Sequence, residues 1–147
     1  MDTKAANQFV TVFYGILDPA TGTLVYCNAG HCPPYLVGAQ NGQDARELAG
    51  TGVPLGMFAN ESWGAEVVQL APGDVLVVYS DGIPEARNEH GAFFEEDRML
   101  ASAVMVLGRP AQVIQDTIIR DVCEFMNDTP QSDDITLAIV VRDMETP

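Results

Sequence analysis

The sequence predicts an α+β domain with mostly antiparallel sheets, and three observations lead there. Runs of β-branched and aromatic residues bounded by turn chemistry recur across residues 9–79. Two stretches with helical periodicity follow one another across residues 95–126, and a further apolar run closes the pattern at residues 135–141. The chain has 147 residues, enough for one core and not for two. No repeat, Gly/Ser linker or charge block interrupts it, so residues 1–147 read as one domain.

Residues 9–17 (FVTVFYGIL) carry apolar side chains on both parities, which predicts a strand covered on both faces. Asp18-Pro19-Ala20-Thr21-Gly22 supplies a fixed φ and a residue tolerant of positive φ. It predicts a hairpin into a second strand, Thr23–Ala29 (TLVYCNA). Pro33-Pro34 blocks a helix and leaves a short strand at Tyr35–Val37. Residues 38–64 are glycine-rich and aperiodic, a loop with one short strand near 46–48. Residues 66–70 alternate as a strand and meet the turn Ala71-Pro72-Gly73-Asp74. Val75–Tyr79 (VLVVY) is a continuous apolar run between turn signals, hence a buried central strand. A first helix spans 95–107, with Leu100, Ala103, Val104 and Leu107 on one face and Gly108 as its stop. A second begins with Pro110 at its first position and runs to Met126, with Val113, Ile114, Ile118, Val122, Phe125 and Met126 as its stripe. Residues 127–132 form a polar loop, and 135–141 (ITLAIVV) predict a last strand buried on both faces.

Composition narrows the partners. A net charge of −14 repels DNA, RNA and anionic membranes, which excludes nucleic acid and membrane surfaces as direct partners. The first ten residues lack a basic segment followed by an apolar one, and the apolar stretch near 99–107 is too short to span a bilayer, so the sequence predicts a soluble, cytoplasmic protein. Cys27, Cys32 and Cys123 have no regular spacing and too few neighbouring ligands for zinc. They read as reduced, half-buried thiols.

Acidic residues stand where buried strands meet loops. Asp81 follows VLVVY and precedes Gly82, whose missing side chain lets backbone come close to a ligand; Asp133 and Asp134 precede ITLAIVV. Only Arg87 offers a nearby positive charge, so a divalent cation with oxygen ligands is a natural counter-charge. Asp-Gly is equally a turn dipeptide, and Asp-Asp can cap a loop; spacing leaves both readings open. His31, directly after a strand, could serve as a general acid, although a lone His is more often structural; His90 reads as a solvated turn residue, and Cys32 has no positive charge beside it to make it a nucleophile.

The blocks FVTVFYGILDPATGTLVYCNAGHCPPYLV, GVPLGM, LAPGDVLVVYSDGIPEARNEHGAFF and SDDITLAIVV, in this order, resemble the PPM (type 2C) metal-dependent protein phosphatases, in the bacterial SpoIIE/RsbU branch. The resemblance covers residues 9–141. It implies two mostly antiparallel β-sheets packed as a sandwich with flanking helices, around a two-metal centre of Mn²⁺ or Mg²⁺ that hydrolyses phosphoserine or phosphothreonine with a metal-activated water. On it, Asp81 and Asp133 are metal ligands, Asp134 and Gly82 are outer or possible ligands, Thr136 completes the second motif, and no side chain is the nucleophile. The family's upstream G-D-x-x-G-H-G half, which supplies the bridging aspartate, does not occur in this chain. The chain is therefore expected to be the C-terminal portion of the domain, its fold and metal site incomplete, weakly active or inactive alone, and prone to self-association. The resemblance also implies a phosphorylated protein as substrate, of the anti-sigma-factor-antagonist kind, and control by an upstream sensor or receiver domain. A non-catalytic interaction module of the same fold is the competing expectation.

Overall fold

The structure is a computed structural model, and it describes residues 8–40 and 45–143. The N-terminal segment read as lacking a signal peptide lies largely outside the described residues, as does part of the glycine-rich loop. Among the described residues, seven strands form two antiparallel sheets. One has the order β1-β2-β5, from β1 (Val12–Asp18), β2 (Thr23–Ala29) and β5 (Glu66–Gln69). The other has the order β4-β3-β6-β7, from β3 (Tyr35–Val37), β4 (Ala45–Glu47), β6 (Val75–Tyr79) and β7 (Leu137–Val141). Two helices, α1 (Glu95–Met105) and α2 (Ala111–Met126), complete the described elements.

The two-residue period of β6 explains the layering. Val75, Val77 and Tyr79 point into a cluster with Met99, Ala103, Ile114, Ile118 and Val122 of the helices. Leu76 and Val78 point the other way, into a cluster with Leu24, Tyr26, Val68 and Leu70. The strand predicted to be central is therefore buried on both faces, with helices on one side and the smaller sheet on the other.

The same expectation fails for two strands. In β7, Leu137, Ile139 and Val141 pack toward the helices, but Ala138 and Val140 face outward and are exposed. β7 is the outermost strand of its sheet, and the three-stranded sheet does not reach over it. In β1, Phe13 stacks on Tyr26 at 5.4 Å, whereas Tyr14 and Ile16 are 62% and 61% exposed. β1 is an edge strand, and nothing among the described residues covers its outer face.

Local chemistry explains the turns and helix ends. Asp18 accepts from the Ala20 amide (2.9 Å) and the Thr21 hydroxyl (3.0 Å), while Gly22 takes φ 75°, closing the predicted hairpin. The helix α1 ends at Met105, two residues before the predicted end, and Gly108 follows at φ 79°. Pro110 precedes the first residue of α2 in an extended conformation (ψ 149°) and is not its first helical residue. The α1 face also buries Met99 and Ser102. The Ser102 hydroxyl donates to Asp121 of α2 at 2.6 Å. Burial opposes the Asp121 charge, but this bond and the adjacent Arg120 outweigh it and hold the carboxyl below its ordinary range. No helix among the described residues is long and apolar enough to cross a membrane.

Arg142, just past β7, ties the far end of the sandwich together. Its guanidinium donates to the Leu70 carbonyl at 2.6 Å and to the Ala20 carbonyl at 3.3 Å. It thus links the end of one sheet to the hairpin turn of the other. Arg142→Ala should lower unfolding stability by about 2 kcal/mol, because it removes charge-assisted bonds and strands a carbonyl. Urea denaturation would show this as a lower midpoint at unchanged slope.

Candidate metal centre

β6 and β7 pair antiparallel, and the last partners in their ladder are Tyr79 and Leu137. The chain leaving β6 and the chain entering β7 therefore lie side by side at one end of the sheet. This places Asp81 and Asp133, 52 positions apart in sequence, on neighbouring loops, a proximity that periodicity alone does not reveal.

The junction between those loops is closely bonded. The Ser80 amide donates to the Thr136 carbonyl at 3.0 Å. The Ser80 hydroxyl accepts from the Thr136 amide at 2.9 Å and donates to the Asp134 carbonyl at 3.1 Å. Gly82 lies against that same carbonyl: a Cβ on it would come within 2.2 Å of the Asp134 oxygen. The missing side chain, read as permitting a close approach of backbone, here admits the backbone of the opposing loop.

Beyond Gly82 the chain is anchored. Ile83 is fully buried, its amide donates to the Ser80 carbonyl at 3.2 Å, and the Glu85 amide donates to the Asp81 carbonyl at 3.0 Å. The Asp133 carboxylate accepts from the Asp134 amide at 2.7 Å, and Gln131 donates to the Asp133 carbonyl at 2.7 Å. Asp81, Asp133 and Asp134 are all exposed, so their charges face solvent while their backbones are held. Asp134 contributes its carbonyl to the junction.

A groove of about 360 Å³ beside Asp81 is lined by Cys32, Glu85, Phe93, Glu95 and Glu96 among others. Burial pushes the Cys32 thiol up, and the Asp81 and Glu96 charges push it further, so the thiol stays protonated near neutrality and is a poor nucleophile. The His31 ring sits 2.8 Å from the Cys32 carbonyl, and its amide donates to the Asn28 side chain at 2.9 Å, a turn arrangement. His90 is in a surface turn closed by the Asn88 side chain. Cys27 and Cys32 are half-buried as expected, Cys123 is exposed, and all three are free thiols. A larger cavity, about 720 Å³, lies at the opposite end, between Pro72, Leu107, Arg109 and Arg142, and contains none of the predicted site residues.

Among the described residues, no three or more His, Cys, Asp or Glu side chains converge on one point to hold an ion. The two predicted ligands at this end, Asp81 and Asp133, are exposed carboxylates. They suit a hard divalent cation in kind, with only oxygen ligands, but not in number. Sequence reasoning overlooked the Ser80 hydroxyl and Arg142. The only sequence trace of the former is a hydroxyl residue directly before Asp-Gly at a strand end.

Comparison with known proteins agrees with this architecture. The family model for Stage II sporulation protein E (SpoIIE) matches residues 1–143. Protein IcfG of Synechocystis sp. is 29% identical over 135 residues, which is 92% of this chain and 21% of IcfG. Phosphoserine phosphatase RsbU of Bacillus subtilis is 28% identical over 145 residues, covering 93% of this chain and 40% of RsbU. In fold, the chain superposes with a TM-score of 0.75 on a structure of the PP2C phosphatase domain and a fragment of the regulatory domain of the Bacillus subtilis cell fate determinant SpoIIE, at 21% identity, over 97% of this chain and 41% of that one. The chain thus spans less than half the length of these relatives, and its two antiparallel sheets and two helices correspond to part of a PP2C-type fold. With the family model matching nearly the whole of this chain, the chain belongs to the SpoIIE family.

Proposed function

We propose that this chain is the C-terminal portion of a metal-dependent phosphoserine/phosphothreonine protein phosphatase, in which Asp81 and Asp133 hold a divalent cation. The observation that carries the reading is the bonded junction of the β6 and β7 ends, which sets both aspartates on adjacent loops. When bound, Mn²⁺ or Mg²⁺ supplies an acidified water and neutralises charge on the phosphoryl oxygens. The chain's own contribution is to hold two carboxylates on anchored loops facing solvent, with Asp134 fixed behind them through its carbonyl and Gly82 admitting that contact. No side chain here acts as nucleophile, in keeping with the protonated Cys32.

The substrate on this reading is a phosphorylated protein, of the anti-sigma-factor-antagonist kind, met in the cytoplasm under control of an upstream sensor or receiver domain. The name of the relative RsbU, a phosphoserine phosphatase, supports the phosphoserine chemistry. Two donors make an incomplete site, which favours low activity for the chain by itself. The chain should turn over p-nitrophenyl phosphate with Mn²⁺ barely above background. The same residues joined to a G-D-x-x-G-H-G half should hydrolyse a phosphoserine protein and stop on chelation. Turnover by the isolated chain at the rate of the joined protein would contradict the half-site. A joined protein that binds its partner without hydrolysis would favour the non-catalytic module instead.

The chain also associates with a second copy of itself on this reading. Tyr14, Ile16 and Val67 form an apolar outer face, at least 61% exposed each, continuous with the unpaired edge of β1. Ile16→Lys should shift sedimentation from dimer toward monomer while circular dichroism shows the chain still folded. A wild-type monomer at all concentrations would contradict this.

A further inference from the structure

We propose that Ser80 is a positioning residue for the metal centre, its side-chain hydroxyl standing in for a ladder carbonyl and so fixing the Asp133 loop against Asp81. This rests on the reading of Asp81 and Asp133 as ligands of one cation.

The geometry follows from where β6 leaves its sheet. In a regular antiparallel ladder, every other facing pair exchanges both of its backbone bonds. Ser80 and Thr136 are the next partners after Tyr79 and Leu137, and the Ser80 amide does donate to the Thr136 carbonyl. The return bond is different. The Ser80 carbonyl is already turned to accept from Ile83, because the chain must bend there to present Asp81. The Thr136 amide donates instead to the Ser80 hydroxyl at 2.9 Å. That hydroxyl then spends its own proton on the Asp134 carbonyl at 3.1 Å, so one oxygen bonds two successive parts of the opposing loop.

Gly82 completes the arrangement on the other side of the same carbonyl. Its φ is not in the left-handed region; what it supplies is room, since a Cβ would sit 2.2 Å from the Asp134 oxygen. The Asp134 carbonyl is thus held between a donor and a gap only glycine leaves. The Asp134 amide in turn donates to the Asp133 carboxylate at 2.7 Å. A continuous path of short contacts runs from the residue before one aspartate to the carboxylate of the other. Alanine at 80 keeps the strand but leaves the Thr136 amide and the Asp134 carbonyl to water, and frees the loop that carries Asp133. Threonine at 80 keeps the hydroxyl and suits a strand end.

The test is a Mn²⁺ titration of the chain by calorimetry, at a temperature where each variant is folded by circular dichroism. Ser80→Ala should weaken binding about 10- to 100-fold, as loss of an outer partner typically does. Gly82→Ala should weaken it comparably, and Ser80→Thr should restore wild-type affinity. In the unmutated chain, saturating Mn²⁺ should slow hydrogen exchange at the Thr136 amide, a readout that needs no variant. Wild-type affinity in Ser80→Ala, with its thermal midpoint lowered, would make the bond merely structural and overturn the proposal. Unchanged Thr136 exchange on Mn²⁺ binding would do the same. Asp81→Asn and Asp133→Asn separate the two ideas. If they lose Mn²⁺ while Ser80→Ala does not, positioning alone fails; if they bind as the wild type does, or if the wild type does not bind, the metal reading fails and takes this proposal with it.

Discussion

Asp81→Asn and Asp133→Asn should each weaken Mn²⁺ binding on the order of 100-fold or more, beyond what loss of an outer partner usually costs. The double variant should be little worse than either single one. If Asp81 and Asp133 share one cation, and no cluster of three or more such side chains occurs among the described residues, removing either takes away half of the proposed donor pair, so the losses are not additive. Asparagine keeps the shape and, at 133, an oxygen to accept from the Asp134 amide. Folding stability without metal should move the opposite way. Two exposed carboxylates on adjacent loops, in a chain of net charge −14, repel one another, and neutralising either relieves that repulsion. Calorimetric titration and thermal unfolding of the same variants would therefore give opposite signs. Lower stability together with unchanged affinity would indicate that the aspartates serve the turns alone.

Ile118→Ala should cost about 2–5 kcal/mol of stability. Ile118 is fully buried at the middle of α2, where the cluster of β6 and both helices meets. Close packing leaves the neighbours little freedom to fill the space it vacates. For a domain of this size the thermal midpoint should fall by roughly 10 °C. A fall of under 2 °C, about what a fraction of 1 kcal/mol gives, would mean that the helices can repack on the sheet and are not the rigid backing described. The aspartates lie at the end of that sheet, so Mn²⁺ affinity below the transition should survive this substitution.

Much of the fold was legible because its signals are local. The hairpin of residues 18–22 rests on an Asp side chain and a positive-φ glycine, and both act within five residues. The strand at 75–79 was legible as buried on both faces, and it is. The identical pattern misled at residues 9–17 and 135–141. An apolar residue on each parity states that a strand can be covered twice, while the cover itself comes from its place in the sandwich. β6 is internal to its sheet and lies between layers, whereas β1 and β7 are edges.

The candidate site divides in the same way. Asp81 and Asp133 stood out as charges at the ends of apolar runs, and spacing alone favoured turn over ligand. Their shared end of the sheet depends on a register, Tyr79 with Leu137, that no local window contains. Ser80 was illegible for the same reason, since its two side-chain bonds reach 54 and 56 residues along the chain. Gly82 was legible as a place for close approach, but what approaches it is Asp134.

The most direct test of the claim that Asp81 and Asp133 serve one cation is paramagnetic broadening. Substoichiometric Mn²⁺ added to the isotopically labelled chain should broaden the amide resonances of Gly82 and Asp134 together and before all others, since one bound ion lies near both loops. Broadening confined to one of the two loops, or beginning in the acidic first turn of α1 at Glu95, Glu96 and Asp97, would contradict it.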